Sequence, residues 1–195
     1  MCIRDSASSN SDTEHHAHDF HHDAALSIFD SLQKGDEASN IQLELTALRM
    51  STNATEHQVR RAVVAAFMKR IAEVMESEKA GAKDAVDKVL KSYTGLLTRT
   101  IFDYDSDDKK DQADFLLLMQ QDLVHRKGGE DIMLHASMNL NKEEVVEPEG
   151  FEQWWNDERS ESGEEMAKIR DKMRPMIEFL LAESESESEE ESEED

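Results

Sequence analysis

The chain has 195 residues, a formal net charge of −23 and one cysteine, Cys2. Charged residues make up 34% of the chain and apolar residues 37%, enough for one ordinary domain if the excess charge lies outside the core. The negative charge disfavours nucleic acid and anionic membranes as direct partners and favours a basic protein segment. A lone cysteine excludes an internal disulfide, which fits a cytoplasmic protein.

Both ends of the chain are poor in apolar residues and are predicted to be disordered. Residues 1–19 offer almost nothing to a core, and residues 183–195, ESESESEEESEED, contain only Ser, Glu and Asp. This tail carries nine acids and no base, which leaves −14 of the −23 for the rest of the chain. We expect residues 1–6, MCIRDS, to be a cloning or sequencing scar and the chain to be part of a longer protein. The predicted domain spans residues 20–182.

Helix signals begin near Phe20, and alternating strand patterns are absent. The first predicted helix ends at about Gln33. Ser39 or Asn40 can cap a second helix through IQLELTALRMSTN, residues 41–53. Thr55 can cap a third helix through EHQVRRAVVAAFMKRIAEVMESE.

The second predicted helix contains a puzzle. Ile41, Leu45 and Leu48 form one apolar stripe at i, i+4 and i+7, but Leu43 lies roughly opposite it and Glu44 lies beside Leu43. The pattern alone favours a second packing contact for Leu43 with a neighbouring helix. The alternative is that the two residues form a functional pair on an exposed edge.

Further helices are predicted from Gly81 onward. One helix is expected through residues 82–102, and another from Asp107 or Asp108 to a C-cap at the Gly128–Gly129 pair. EDIMLHASMNL, residues 130–140, is the next.

Two prolines mark the last helices. Pro148 should open a helix through VVEPEGFEQWWND, and Pro175 should kink or restart a final helix. The sequence therefore predicts an all-α fold: a HEAT-like stack of about seven or eight antiparallel helices with a disordered acidic tail.

The sequence offers little support for chemistry or metal binding. His15, His16, His18, His21 and His22 are irregularly spaced, so a solvated linker is favoured over a metal site and no metal or cofactor is expected. No nucleophile motif or phosphate-binding loop is present.

Two features point instead to partner binding. Trp154 and Trp155 are adjacent, so on a helix one can enter the core while the other reaches the surface. The acidic tail could bind a lysine-rich segment or only improve solubility. Four of its serines have an acid three residues later and are candidate phosphorylation sites: Ser184, Ser186, Ser188 and Ser192.

These features resemble a known family. RPMIEFLLAESE, running into the acidic tail, is similar to the second aromatic–acidic box of W2-type domains, and EEVVEPEGFEQWWND is similar to the first. LELTALRMSTNATEHQVR and GAKDAVDKVLKSYTGLLTR most resemble the carboxy-terminal catalytic domain of the epsilon subunits of initiation factor 2B. The resemblance runs from about Phe20 to Asp195.

The resemblance implies guanine nucleotide exchange on initiation factor 2, with no covalent chemistry. The family's exchange glutamate matches Glu44 and its neighbouring leucine matches Leu43, while Phe179 stands where the second box has a tryptophan. Implied partners are the GTPase gamma subunit, the lysine-rich arm of the beta subunit and, in a full-length protein, the other 2B subunits. The alternative is a non-catalytic W2 adaptor, as in initiation factor 5. The implied partner-binding residues are Trp154, Trp155, Phe179, Glu183, Glu185, Glu187, Glu189, Glu190 and Glu191.

Overall fold

The structure is a computed structural model that describes residues 10–102 and 109–190, with side chains for residues 20–102 and 109–183. Throughout these residues the regular structure is helical. The helices are α1 (Asn10–Lys34), α2 (Ala38–Thr52), α3 (Glu56–Glu78), α4 (Ala82–Leu90), α5 (Thr94–Ile101), α6 (Lys110–Leu123), α7 (Gly129–Lys142), α8 (Pro148–Trp155), a short 3-10 helix (Glu158–Glu161) and α9 (Glu164–Glu190).

The helices stack as four pairs, α1/α2, α3/α4, α6/α7 and α8/α9. The first members pack on one another in the order α1, α3, α6, α8 and form one layer. On the other side of the stack α7 packs against both α4 and α9, and α2 packs against α5. Apolar side chains of both layers fill one continuous core. This arrangement confirms the predicted all-α, HEAT-like stack.

Local signals fixed several helix ends as predicted. Thr55 caps α3 with a complete capping box: its hydroxyl accepts from the Gln58 N–H at 3.2 Å, and the Gln58 side chain accepts from the Thr55 N–H at 2.8 Å. Pro148 stands in the first turn of α8, where its missing N–H costs no helical hydrogen bond.

Other helix boundaries differ from the predictions. The backbone of α1 begins at Asn10, ten residues before Phe20, and that of α9 continues to Glu190, so parts of both segments predicted as disordered are helical. The disorder predicted for the remaining terminal residues stays a prediction. At α2, Glu37 occupies the N-cap position and makes no side-chain cap bond, so the predicted cap at Ser39 or Asn40 is wrong.

The single helix predicted for residues 82–102 is divided into α4 and α5 by a turn ending at Tyr93. The Tyr93 side chain at this turn is held from two sides. Its hydroxyl donates to the Asp36 carbonyl at 2.8 Å, and its ring meets Phe67 edge-on with centroids 5.6 Å apart. These are tertiary contacts that periodicity does not encode.

The glycine pair after α6 has a different role from the predicted C-cap. The last residue of α6 is Leu123, and Gly128, with φ +72°, is the N-cap of α7. A Cβ on Gly129 would collide with the Leu123 backbone, so the glycine permits a close chain crossing.

The predicted start of α6 at Asp107 or Asp108 lies outside the described residues. At the other end of the chain, α9 continues through Pro175 without a restart.

Candidate functional site

Helix α2 presents Leu43 and Glu44 to solvent. Ile41 and Leu45 are buried against the core, whereas Leu43 is 72% exposed and Glu44 is also exposed. Leu43 is therefore not the second packing contact that periodicity favoured. A large apolar side chain held outward beside a carboxylate is typical of a contact surface.

The Glu44 carboxylate is held by the neighbouring helix. The Ser27 hydroxyl of α1 donates a hydrogen bond to Glu44 Oε1. This bond restricts the carboxylate rotamer and fixes the charge next to Leu43. Sequence reasoning missed Ser27 because the two residues are 17 positions apart on different helices and no local motif links them.

The apolar character of α2 extends beyond Leu43. Met50 is 79% exposed, and Leu43, Ala47 and Met50 follow at i, i+4 and i+7, which places them on one outward face that we call the α2 ridge. Besides Glu44, the only charged residue of α2 is Arg49, which is ion-paired with Glu56. In a chain that is 34% charged, this weakly charged ridge is the kind of surface that a folded partner covers.

The two tryptophans of α8 have different environments. Trp154 is 0% exposed, and its indole N–H donates to Gln120 Oε1 at 3.0 Å. The Gln120 amide nitrogen in turn donates to the Ser160 carbonyl at 2.9 Å and the Met166 carbonyl at 3.0 Å. Trp154 is therefore a core residue that links α8 to α6, and the prediction that it contacts a partner directly is corrected. Sequence reasoning also missed Gln120.

Trp155 is half-buried, and two arginines of α9 lie over its ring. The guanidinium carbon of Arg170 is 3.8 Å from the ring centroid, and that of Arg174 is 5.4 Å away. Arg170 also donates to the Trp155 carbonyl at 2.7 Å and to Glu161 at 2.7 Å. Burial lowers the pKa of the Arg170 guanidinium from its ordinary value. The first aromatic box is thus held in place by cations of α9.

Phe179 of α9 is 61% exposed, four residues before the exposed Glu183. The other acids and serines predicted as contacts or phosphorylation sites lie outside the described side chains, and their roles stay predictions. Glu44 and Phe179 belong to the first and last helix pairs, so the predicted site residues form two separate surfaces.

Comparison with known proteins shows what this chain is similar to. Residues 111–193 match the family described as "W2: eIF4-gamma/eIF5/eIF2-epsilon". The carboxy-terminal part of the chain is a W2 domain. The chain is also 32% identical, over 94% of its length, to "Translation initiation factor eIF2B subunit epsilon" of Schizosaccharomyces pombe, of which it spans 26%.

The matched residues begin in α6 and include both tryptophans, Gln120 and Phe179. Helices α1 to α5, with Leu43 and Glu44, precede it; the similarity to the epsilon relative extends over 185 residues and so takes in most of these helices as well. The resemblance expected from the sequence is confirmed at this level.

The described part of the chain contains no group of three or more His, Cys, Asp or Glu placed to hold a metal ion. Of the histidine cluster, only His21 and His22 have described side chains. Among the same residues, no helix combines the length and apolarity that a bilayer crossing requires.

Proposed function

We propose that this chain promotes guanine nucleotide exchange on translation initiation factor 2 as a cytoplasmic fragment of an initiation factor 2B epsilon subunit. The observation that carries the proposal is the exposed Leu43–Glu44 pair, whose carboxylate is held by Ser27, in a chain similar over 94% of its length to such a subunit. The α2 ridge supplies the apolar contact area for the GTPase.

The mechanism depends on differential binding and needs no covalent step. A GTPase holds GDP through Mg²⁺, a phosphate-binding lysine and backbone N–H groups. A carboxylate that competes for the lysine or disturbs the Mg²⁺ site stabilises the nucleotide-free GTPase over the GDP-bound form. In this proposal Glu44 supplies the carboxylate and Leu43 wedges against a switch segment.

Partner capture is assigned to the other end of the stack. Trp155, Phe179 and the acidic tail would hold the lysine-rich arm of the beta subunit while Glu44 acts on the gamma subunit. Such tethering raises the local concentration of Glu44 at its target. The remaining 2B subunits would contact parts of the full-length protein outside this chain.

The test is release of fluorescent GDP from initiation factor 2 with wild type and Glu44→Ala. Loss of one charge-assisted contact of about 1.5–3 kcal/mol should slow release roughly tenfold to a hundredfold. Glu76→Ala, which removes an exposed acid on α3, is the control and should leave release unchanged. Equal rates for wild type and Glu44→Ala would refute the assignment.

A W2 adaptor is the second candidate, favoured by the match that starts only at residue 111. An adaptor would bind a lysine-rich peptide and leave GDP release unaffected. Truncation after Ala182 should weaken polylysine binding, and raised salt should shrink that difference because exposed charges are screened beyond roughly 8 Å at physiological salt. If removing the tail does not change binding at low salt, the tail has only a solubility role.

A further inference from the structure

A cavity of about 710 Å³ lies where the link between α1 and α2 meets α3 and α4. The end of α1, the link itself, the first turn of α2 and residues of α3 and α4 line it. Its volume is within the range of about 300–1,000 Å³ that is typical of small-molecule sites. Neither Leu43 nor Glu44 lines this cavity, so it is separate from the candidate exchange site.

Arg70 lines the cavity from a position where α3 is otherwise apolar. It lies three residues after Phe67 and four before Val74, both of which are buried on the same face of the helix. Its Nη1 donates to Glu73 Oε2 at 2.6 Å. A guanidinium has five N–H donors and this bond uses one of them, so the side chain can also donate to a ligand.

Two lysines line the same cavity. Lys34 is the exposed last residue of α1, and Lys88 of α4 forms an exposed ion pair with Glu78 at 2.6 Å. An exposed pair of this kind is weak, so an anion in the cavity can compete with Glu78 for the ammonium group. Three helices of a chain with a net charge of −23 thus each bring one cation to this cavity. We call these residues the cation group: Lys34, Arg70 and Lys88.

Two acids, Asp36 and Glu37, line the cavity from the link. The backbone carbonyl of Asp36 accepts the Tyr93 hydroxyl, which anchors the link beside the cavity. Burial raises the pKa of the Tyr93 hydroxyl, the charge of Asp36 raises it further, and the charge of Arg70 opposes this shift. Charges of both signs therefore act within one site.

This combination of charges indicates the class of ligand. The cation group suits a phosphate, whereas carboxylates accept hydrogen bonds from the hydroxyl groups of a ribose or the N–H groups of a base. Inorganic phosphate alone would satisfy the cations and be repelled by the two acids. Buried apolar side chains complete the lining and provide a surface for an uncharged ring: Leu32, Val74 and Val89.

We propose that this cavity binds a nucleoside phosphate, with its phosphate at the cation group and its sugar or base at Asp36 and Glu37. The site goes beyond the proposed exchange function, because the ligand binds this chain in the absence of a GTPase. Ala38 and Ser39, in the first turn of α2, also line the cavity. A bound ligand therefore contacts the start of the helix that carries Glu44.

Isothermal titration calorimetry of the chain alone tests this proposal, with GDP, ADP and inorganic phosphate as ligands. Wild type should bind at least one of the two nucleotides saturably, at one site per chain. It should bind that nucleotide about tenfold or more tightly than inorganic phosphate, because the sugar and base add hydrogen bonds to charged groups.

Matched lysine variants locate the site. Lys88→Met should weaken nucleotide binding about tenfold, since it removes a charged donor from the cation group. Lys83→Met is the control, because Lys83 is an exposed lysine of the same helix that does not line the cavity, and it should keep wild-type affinity. Asp36→Asn keeps the backbone carbonyl that Tyr93 binds and should reduce the preference for the nucleotide over inorganic phosphate. Thermal unfolding checks that each variant is folded.

Three results would overturn the proposal. The first is the absence of saturable binding of either nucleotide at millimolar concentration. The second is equal nucleotide affinity in Lys88→Met and Lys83→Met. The third is wild-type affinity for inorganic phosphate as high as that for the nucleotides, which would leave only a site for simple anions. No GTPase enters the assay, so this proposal and the assignment of Glu44 can fail independently.

Discussion

Replacing Gln120 with leucine should cost the W2 domain a large part of its stability. Gln120 is fully buried, and its amide makes three hydrogen bonds, to the Trp154 indole and to the carbonyls of Ser160 and Met166. Leucine is similar in volume, so little cavity forms and the effect isolates the polar network. Three buried groups lose their partners at about 1–1.5 kcal/mol each, which predicts a loss of about 3–5 kcal/mol. For a chain of this size that corresponds to a fall of roughly 10 °C in Tm.

Urea unfolding followed by far-UV circular dichroism measures this loss, and a double-mutant cycle identifies its cause. Trp154→Phe removes the indole donor and should destabilise the protein by itself. The double variant should be more stable than the sum of the single losses predicts, by about 1 kcal/mol, because donor and acceptor are then removed together. A loss below about 1 kcal/mol for Gln120→Leu, or strict additivity, would refute the network.

Three further changes probe other contacts. Ser27→Ala should slow GDP release several-fold, by roughly 1 kcal/mol, without lowering Tm, because it frees the exposed Glu44 carboxylate from its orienting hydrogen bond. Gly150→Ala should destabilise the fold by about 1–3 kcal/mol in urea unfolding, since an added Cβ would lie 2.8 Å from the Gln112 Cβ. Hydrogen bonds from Arg159 lower the pKa of the Asp157 carboxyl. The ionised carboxylate therefore stabilises the fold above the unfolded pKa of about 3.9, and this stabilisation is lost as pH falls through the folded pKa. Asp157→Asn should therefore flatten the loss of stability below about pH 4 in acid titrations of the folded state.

Matched variants serve as controls for these changes. Ser77→Ala removes an exposed hydroxyl on α3 and should leave GDP release unchanged. Gly95→Ala adds a Cβ that meets nothing within 4 Å, and in α5 it should stabilise by about 0.5–1 kcal/mol. Equal effects of the two glycine changes, unchanged release with Ser27→Ala, or the wild-type acid profile in Asp157→Asn would each contradict the corresponding argument.

The sequence predicted features whose causes are local. Thr55 caps α3 and Pro148 opens α8 because a cap or a missing N–H acts within one turn. The stripe of Ile41 and Leu45 likewise identified the buried face of α2. The stacking of helices followed from this repetition of amphipathic segments.

The features that sequence reasoning missed depend on contacts between distant residues. At the turn between α4 and α5, the Tyr93 hydroxyl donates to the carbonyl of Asp36, which is 57 positions away in the sequence. Ser27 and Glu44 meet only after α1 and α2 pack, and Gln120 finds Trp154 only after α6 and α8 pack. The exposure of Leu43 likewise could not be predicted from the spacing of apolar residues. A helix with two apolar faces can pack on both of them, or it can pack on one and leave the other exposed.

The order of the helix pairs also sets a length requirement on any partner that engages both ends of the stack. The α2 ridge lies on the first helix pair and Phe179 on the last, and three pair-to-pair steps separate these pairs. At about 8–10 Å per step the two surfaces are roughly 25–30 Å apart. A fully extended chain covers about 3.3–3.6 Å per residue. A partner therefore needs a linker of about eight residues or more between its folded domain and its basic segment to contact both surfaces at once. The distance along the stack therefore restricts partners by the length of their linker as well as by their charge.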